Sequence, residues 1–202
     1  MGLFDFLKPK DKGNNKNAFV KPSIEPDIKG GFDLKLSDFY TQTQSAQVIS
    51  VKVSPDFYEL FPEAKAPAET GDKLELKTAA INIVFWGQTV EVSFNPNDIP
   101  DNSEAFITQI NKQLNWLIKN PEAVNEVIIR DLLQLKNDNW LNEDETPLTK
   151  ESFLKSIRLT SIGFYEDTNF SLYYDDGDLF FGHTIIVEIN AEREVQEASI
   201  AG

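Results

Sequence analysis

The chain has 202 residues, of which 41% are apolar and 26% charged, a composition typical of a soluble globular protein. It contains no cysteine and one histidine, which excludes disulfides, thiolate nucleophiles, zinc ribbons and sites that need two imidazoles. Its formal net charge is −14, since 33 acidic residues oppose 19 basic ones. Such a chain repels phosphate backbones, so nucleic acid is excluded as a partner. No glycine-rich phosphate loop opens a helix, and no cofactor is predicted.

Residues 1–31 have the composition of a flexible N-terminal tail and linker, with six lysines against four acids. The remaining 171 residues carry 13 basic and 29 acidic groups, a net charge of −16. Residues 32–202 are predicted to form a single α+β domain, in which residues 32–70 either join the main sheet or form a separate subdomain. Neither a secretory signal nor a membrane-spanning segment is visible, which predicts a cytoplasmic protein.

Alternating apolar residues predict strands in the first half of the chain. The alternation runs over 32–36 and again over 46–53, whereas 62–72 has the proline and glycine content of a surface loop. The clearest hairpin spans 79–94. Its turn is predicted to be of type II′, with Gly87-Gln88 as the central pair.

Two apolar stripes at helical spacing predict a pair of helices. The first stripe runs from Phe106 to Ile118 and the second from Val124 to Leu135. Asn120-Pro121 between them supplies a cap and a first-turn proline, and Thr149 predicts the start of a short third helix. The helix pair is predicted to pack on one face of a sheet.

The C-terminal part is predicted to be rich in strands, at 158–165, 169–174, 179–189 and 195–200. The turns between them are too short for crossover helices, so neighbouring strands are expected to be antiparallel. The predicted fold class is α+β: an antiparallel sheet with a C-terminal β-meander, covered on one face by two to three helices.

Asp175, Asp176 and Asp178 surround a glycine and resemble part of a calcium-binding loop. A complete EF-hand loop needs a glutamate six residues after that glycine, where this chain has His183. A hairpin with Asp176-Gly177 at the centre of a type I′ turn is therefore the favoured interpretation. A divalent-cation site at the three aspartates stays open as an alternative.

His183 is the candidate for acid–base catalysis, because an imidazole exchanges protons near neutral pH. Counting by two from Leu179 places its ring on the apolar face of a strand, which favours a structural role. A β-bulge at Gly182 would instead aim the ring at solvent. A hydrolase that uses carboxylates and His183 therefore stays open as a second alternative.

Four segments of the C-terminal half resemble the bacterial domain-of-unknown-function 2262 family, over about residues 79–202. They are Leu132–Trp140, Leu148–Phe153, Asp175–Val187 and Ala198–Gly202. The resemblance implies a small bacterial cytoplasmic α+β protein and brings no activity, cofactor or catalytic residue. It also implies a link to related domains that are associated with immunity to secreted toxins.

The absence of a catalytic motif and the acidic body together favour a non-enzymatic module that binds a basic protein. An immunity protein toward a basic toxin is the finer form of this prediction. The sequence does not predict an oligomeric state.

Overall fold

The computed structural model describes residues 24–25, 31–47, 73–99 and 103–202. The chain divides into two units, one of Met1–Ala18 with Thr43–Lys77 and one of Phe19–Gln42 with Thr78–Gly202. Of the first unit, the structure describes strand residues 43–47 and 73–77. Most of the predicted tail, most of the strand predicted over 46–53 and all of the loop predicted over 62–72 lie outside the described residues. The division into a tail and one domain thus stays a prediction.

Seven strands form one sheet, and their order in the sheet follows their order along the chain. They are β1 (Tyr40–Gln47), β2 (Lys73–Phe85), β3 (Gln88–Phe94), β4 (Arg158–Phe164), β5 (Phe170–Asp175), β6 (Thr184–Ile189) and β7 (Val195–Ala201). The pairs from β2 to β7 are antiparallel, except that β3 and β4 run parallel. A parallel pair needs a long connection, and the helices provide it here.

The helices lie between β3 and β4 in the chain. They are α1 (Ser103–Leu117), α2 (Pro121–Ile128), a π-helical turn (Ile129–Leu133), α3 (Gln134–Asn139) and α4 (Lys150–Ser156). The two predicted helices correspond to α1 and to the continuous run from α2 to α3. The predicted third helix is α4, where the hydroxyl of Thr149 accepts a hydrogen bond from the N–H of Ser152 at 3.2 Å. The α+β prediction with a C-terminal meander is confirmed.

The hydrophobic core lies between the helices and one face of the sheet. The apolar stripe of α1 is fully buried at Ile110, Leu114 and Leu117. The ring of Phe94 from β3 meets Phe106 of α1 edge to face, with centroids 5.4 Å apart. None of the described helices is long and apolar enough to cross a membrane.

The strand residues that alternate with the core residues form the opposite face of the sheet, called the polar face below. From β3 to β7 it comprises Thr89, Glu91, Ser93, Arg158, Ser161, Gly163, Ser171, Tyr173, Asp175, Thr184, Ile186, Glu188, Glu197, Ser199 and Ala201. This face is therefore made largely of hydroxyl, carboxylate and small side chains.

The hairpin predicted over 79–94 forms, but its turn is one residue earlier than predicted. Phe85 pairs with Gln88, so Trp86 and Gly87 are the central residues. Their φ values of +46° and +76° fit a type I′ turn, and the predicted type II′ turn is wrong. Packing offsets the strained backbone of Trp86. The centroid of its ring lies 4.8 Å from that of Phe85, and its indole N–H donates to the carbonyl of Ile118 at 3.4 Å.

The strand predicted over 32–36 is instead an extended segment held by two asparagines of α1. The side-chain amide of Asn115 binds both the N–H and the carbonyl of Phe32, at 2.6 and 3.0 Å. Asn111 does the same for Leu34, at 2.8 and 2.9 Å. Leu36 then enters a 3-10 helix (Leu36–Asp38) and is 43% exposed, so the alternation ends there.

The π-helical turn anchors the edge strand β7. Arg130 donates to the carbonyl of Gln196 at 2.9 Å, and the carboxylate of Asp131 accepts from the N–H of Ala198 at 2.9 Å. The hydrogen bond from Arg130, followed by that from Ala198, holds the pKa of Asp131 below its ordinary value, although burial acts in the opposite direction. Two backbone groups of the edge strand, the carbonyl of Gln196 and the N–H of Ala198, are therefore hydrogen-bonded.

Candidate functional site

The sequence-predicted site residues lie at or near the connection between β5 and β6. The strand predicted over 179–189 begins only at Thr184, because two successive turns occupy the residues before it. The N–H of Leu179 binds the carbonyl of Asp176 at 3.1 Å, and the N–H of His183 binds that of Phe180 at 3.3 Å.

Both turns have positive φ at their two central residues, the pattern of type I′. In the first turn Gly177 and Asp178 have φ values of +58° and +64°. In the second, Phe181 and Gly182 have values of +56° and +84°. The predicted central pair Asp176-Gly177 is thus displaced by one residue.

The buried carboxylate of Asp176 binds the backbone of this connection. It is 3% exposed, and one carboxylate oxygen accepts hydrogen bonds from the N–H groups of Phe180 (2.7 Å) and Gly182 (3.2 Å). Its other oxygen accepts from the N–H of Asp178 at 3.2 Å. A Cβ at Gly177 would clash with the carbonyl of Ser156 at the end of α4, so only glycine fits the first turn.

The other two predicted cation ligands are exposed. Asp175 accepts from the N–H of Gly177 at 3.0 Å and from Arg158 at 3.2 Å, and these contacts lower its pKa. Asp178 lies in the first turn with its backbone in the left-handed region. Within the described ranges, no group of three or more histidine, aspartate or glutamate side chains is arranged to hold a metal ion. Calorimetric titration with calcium tests the cation prediction directly.

His183 is half-buried and packed against other rings. Its Nδ1 lies 2.5 Å from the carbonyl oxygen of Phe180. A carbonyl can only accept, so Nδ1 carries the proton. The imidazole meets the indole of Trp140 edge to face, with centroids 5.4 Å apart. A Cβ at Gly202 would clash with the imidazole, so the backbone there also lies against it.

Trp140 joins these rings into a cluster that we call the aromatic tip: Trp140, Phe180, Phe181 and His183. Phe180 and Phe181 each lie 5.5 Å from the indole of Trp140. Phe180 is fully buried and also packs on Phe153 of α4 at 6.2 Å. Phe181, in contrast, is 62% exposed.

An ion pair between a buried lysine and an exposed glutamate fixes the chain next to Trp140. Lys136 is 1% exposed, and its ammonium donates to the carbonyl of Trp140 at 2.7 Å and to Glu145 at 2.9 Å. The N–H of Asn142, followed by Lys136, lowers the pKa of Glu145. A buried ammonium needs such partners, so this pair holds the loop that carries Trp140 in place.

Three hydroxyls cluster on the polar face at the far end of β5. Tyr165 lies 3.1 Å from the hydroxyls of both Ser171 and Tyr173. Burial, together with the hydrogen bond shared with Tyr165, raises the pKa of Tyr173 to about 12, so this phenol stays neutral. A cavity of about 150 Å³ opens beside the cluster, and Glu188 and Gln196 help to line it.

Glu188 and Glu197 are direct register partners on β6 and β7. Both are exposed, and neither forms a hydrogen bond or a close ion pair with another described residue. Arg130 interacts electrostatically with Glu197, but its guanidinium is bound to Asp131 at 2.6 Å. The like charges therefore face each other without a close counter-ion among the described residues.

The patterns in the sequence did not single out Phe181 or the pairing of Glu188 with Glu197. The Phe181-Gly182 dipeptide is a signal for the second turn, because glycine favours positive φ. Counting residues outward from the turn after β6 would have placed Glu188 opposite Gln196, because a register shift between Glu188 and Ile189 brings Glu197 opposite Glu188 instead. The first signal depends on knowing where β6 begins, and the pairing of the two glutamates has no local signal.

Apart from Lys73 and Ala201 at the two ends, the strands β2 to β7 and the four described α-helices fall in the part of the chain that a family model matches. That family is described as an uncharacterized protein conserved in bacteria, and its model covers residues 74–200. No curated protein and no solved structure matches the chain. The chain therefore belongs to the bacterial DUF2262 family.

Proposed function

We propose that this protein is a non-enzymatic module that binds a basic protein through the carboxylates of its polar face. The observation that carries the proposal is the pairing of Glu188 with Glu197, exposed and opposite each other on neighbouring strands. Like charges in this position cost about 0.2–1 kcal/mol of stability. A lysine or arginine of a partner placed between them would remove that cost.

The remaining charges of the polar face support the same conclusion. From β3 to β7 this face also carries Glu91 and Asp175, and its cation Arg158 is already bound to Asp175. An excess of carboxylates on one face creates a field that steers a basic protein toward it. The finer form of the proposal is a basic toxin that the chain neutralises as an immunity protein, supported by the family resemblance.

The test is capture of proteins from a lysate of the source bacterium on the immobilised chain. We expect a protein with a pI above about 9 to be retained, and its retention to fall steeply between about 50 and 500 mM NaCl. Identification by mass spectrometry and titration with the purified partner complete the measurement. Growth of cells that express the partner with and without this chain tests the toxin assignment.

The decisive variant changes both glutamates, Glu188→Gln with Glu197→Gln. Its matched control is Glu122→Gln with Glu126→Gln, two exposed residues of α2, since both double variants change the net charge from −14 to −12. The first variant should lose at least tenfold in partner affinity, and the control should bind like the wild type. The proposal would be contradicted if both double variants lost affinity equally, if capture did not depend on salt, or if no basic protein were captured.

A further inference from the structure

We infer that the aromatic tip is the apolar anchor of the interface with the basic partner, with the ring of Phe181 inserted into an apolar pocket of that partner. The inference rests on the proposed function and adds the site of apolar contact to it.

The first argument is the exposure of Phe181 in a strained backbone. Its φ of +56° lies in the left-handed region, where residues with a Cβ are disfavoured, and the residue is 62% exposed. Trp86 has a similar φ of +46°, but its ring packs on Phe85 and its N–H is hydrogen-bonded. Packing thus accounts for Trp86, whereas among the described residues Phe181 packs on Trp140 and otherwise stays largely exposed.

The second argument is that the ring is held rigidly. Asp176 accepts hydrogen bonds from the residues on both sides of Phe181, and the indole of Trp140 supports the ring at 5.5 Å. Lys136 in turn holds the carbonyl of Trp140. An aromatic side chain fixed before binding loses little conformational entropy on association, which is the property of an interface hot spot.

The third argument is position and charge. The connection leaves the polar face at Asp175 and returns to it at Thr184, its register partner, so the tip lies at one end of that face, about 13 Å along β6 from Glu188. Asp178 is exposed within the same turns, and Glu143 and Asp144 are exposed shortly after Trp140. An apolar centre with a charged rim is the usual anatomy of a protein interface.

The acidic rim also selects the occupant. A second copy of this chain would bring the same carboxylates, and an anionic membrane surface would bring phosphates, so both would be repelled. A basic protein instead offers lysines and arginines to the rim. We therefore assign the tip to the basic partner of the polar face.

The test compares Phe181→Asn with Leu36→Asn, because asparagine tolerates positive φ and Leu36 is an exposed apolar residue of the 3-10 helix. With the purified basic partner, Phe181→Asn should weaken binding at least tenfold while the melting temperature stays within a few degrees of the wild type. Leu36→Asn should bind like the wild type, and Phe181→Tyr should restore binding. A second measurement places a photo-crosslinking phenylalanine at 181 or 36 in living cells, and the partner should crosslink only from position 181.

The outcomes separate this inference from the proposed function. If Phe181→Asn binds like the wild type and position 181 gives no crosslink, while the Glu188 and Glu197 double variant is weakened, the tip is not the anchor and the proposed function survives. If the double variant binds fully and Phe181→Asn does not, the acidic polar face is refuted as the main contact. If the wild type captures no basic protein, both proposals are overturned.

Discussion

Asp176 sets the shape of the connection that carries Phe181. Three backbone N–H groups converge on its buried carboxylate, and two of them flank Phe181. A charged acceptor suits this position because hydrogen bonds to ionised groups are stronger than neutral ones. The carboxylate therefore helps to stabilise two turns whose backbone angles are unfavourable for Asp178 and Phe181.

Asp176→Asn should lower the free energy of unfolding by about 1.5–3 kcal/mol, because the amide keeps one acceptor oxygen and places an N–H₂ group against backbone donors. Urea denaturation followed by tryptophan fluorescence measures the loss. The control Asp178→Asn, at an exposed position that asparagine tolerates, should stay within about 0.5 kcal/mol of the wild type. Millimolar calcium should leave the wild-type midpoint unchanged. Equal losses in both variants would refute the role given to Asp176.

At the scale of single residues, composition drew attention to one connection but did not predict the conformation of its residues. The single histidine and the cluster of aspartates drew attention to the β5–β6 connection. The left-handed backbone of Phe181 was not predicted, since a phenylalanine in an apolar alternation indicates a buried strand residue. The catalytic role of His183 stays a prediction, and its Nδ1 hydrogen bond gives it a structural contact as well.

Among the elements, the best-defined attachment is the docking of residues 32–34 on α1. Four residues of helix rise about 6 Å and two extended residues about 6.6 Å, so Asn111 and Asn115 match every second residue of the segment. Each amide binds both polar groups of one backbone unit. Gly31 precedes the segment, and a Cβ there would clash with Asn115. The pairing satisfies backbone groups that would otherwise be buried unpaired beside Phe32 and Leu34.

Asn115→Leu should destabilise the protein by about 2–4 kcal/mol, because the N–H and carbonyl of Phe32 lose their partners in a largely buried place. Amide hydrogen exchange should also become faster at Phe32 and Leu34. Gln109→Leu, an exposed change on the same helix, is the control and should have an effect below about 0.5 kcal/mol. Unchanged exchange at Phe32 in Asn115→Leu would show that the segment is held by its side chains alone.

Elements with a local signal were predicted well, and those that depend on distant contacts were not. Apolar residues that repeat every few positions predict the helices α1 and α2 and the strands of the meander. The clamp on Phe32 joins residues 83 positions apart, and the parallel pairing of β3 with β4 depends on where the helices pack. The turn at Trp86 moved by one residue because strand register, rather than turn preference, decided it.

For the whole molecule, the charge is divided unequally. Residues 32–202 carry a net charge of −16, against +2 for residues 1–31. The excess carboxylates repel one another, which lowers the stability of the fold. The same negative charge attracts cationic partners. Stability and binding should therefore respond to salt in opposite directions.

Raising NaCl from about 10 to 200 mM shortens the Debye length from about 30 Å to less than 10 Å. Repulsion between carboxylates such as Glu188 and Glu197 weakens, so the thermal midpoint should rise by several degrees. Attraction to the basic partner weakens over the same range, so capture should fall. The Glu188→Gln, Glu197→Gln variant should show a smaller rise in midpoint than the wild type. Scanning calorimetry and capture on the same samples measure both responses to salt. A thermal midpoint that falls with salt would mean that attractive ion pairs, and not the unneutralised carboxylates, dominate the electrostatics of the fold.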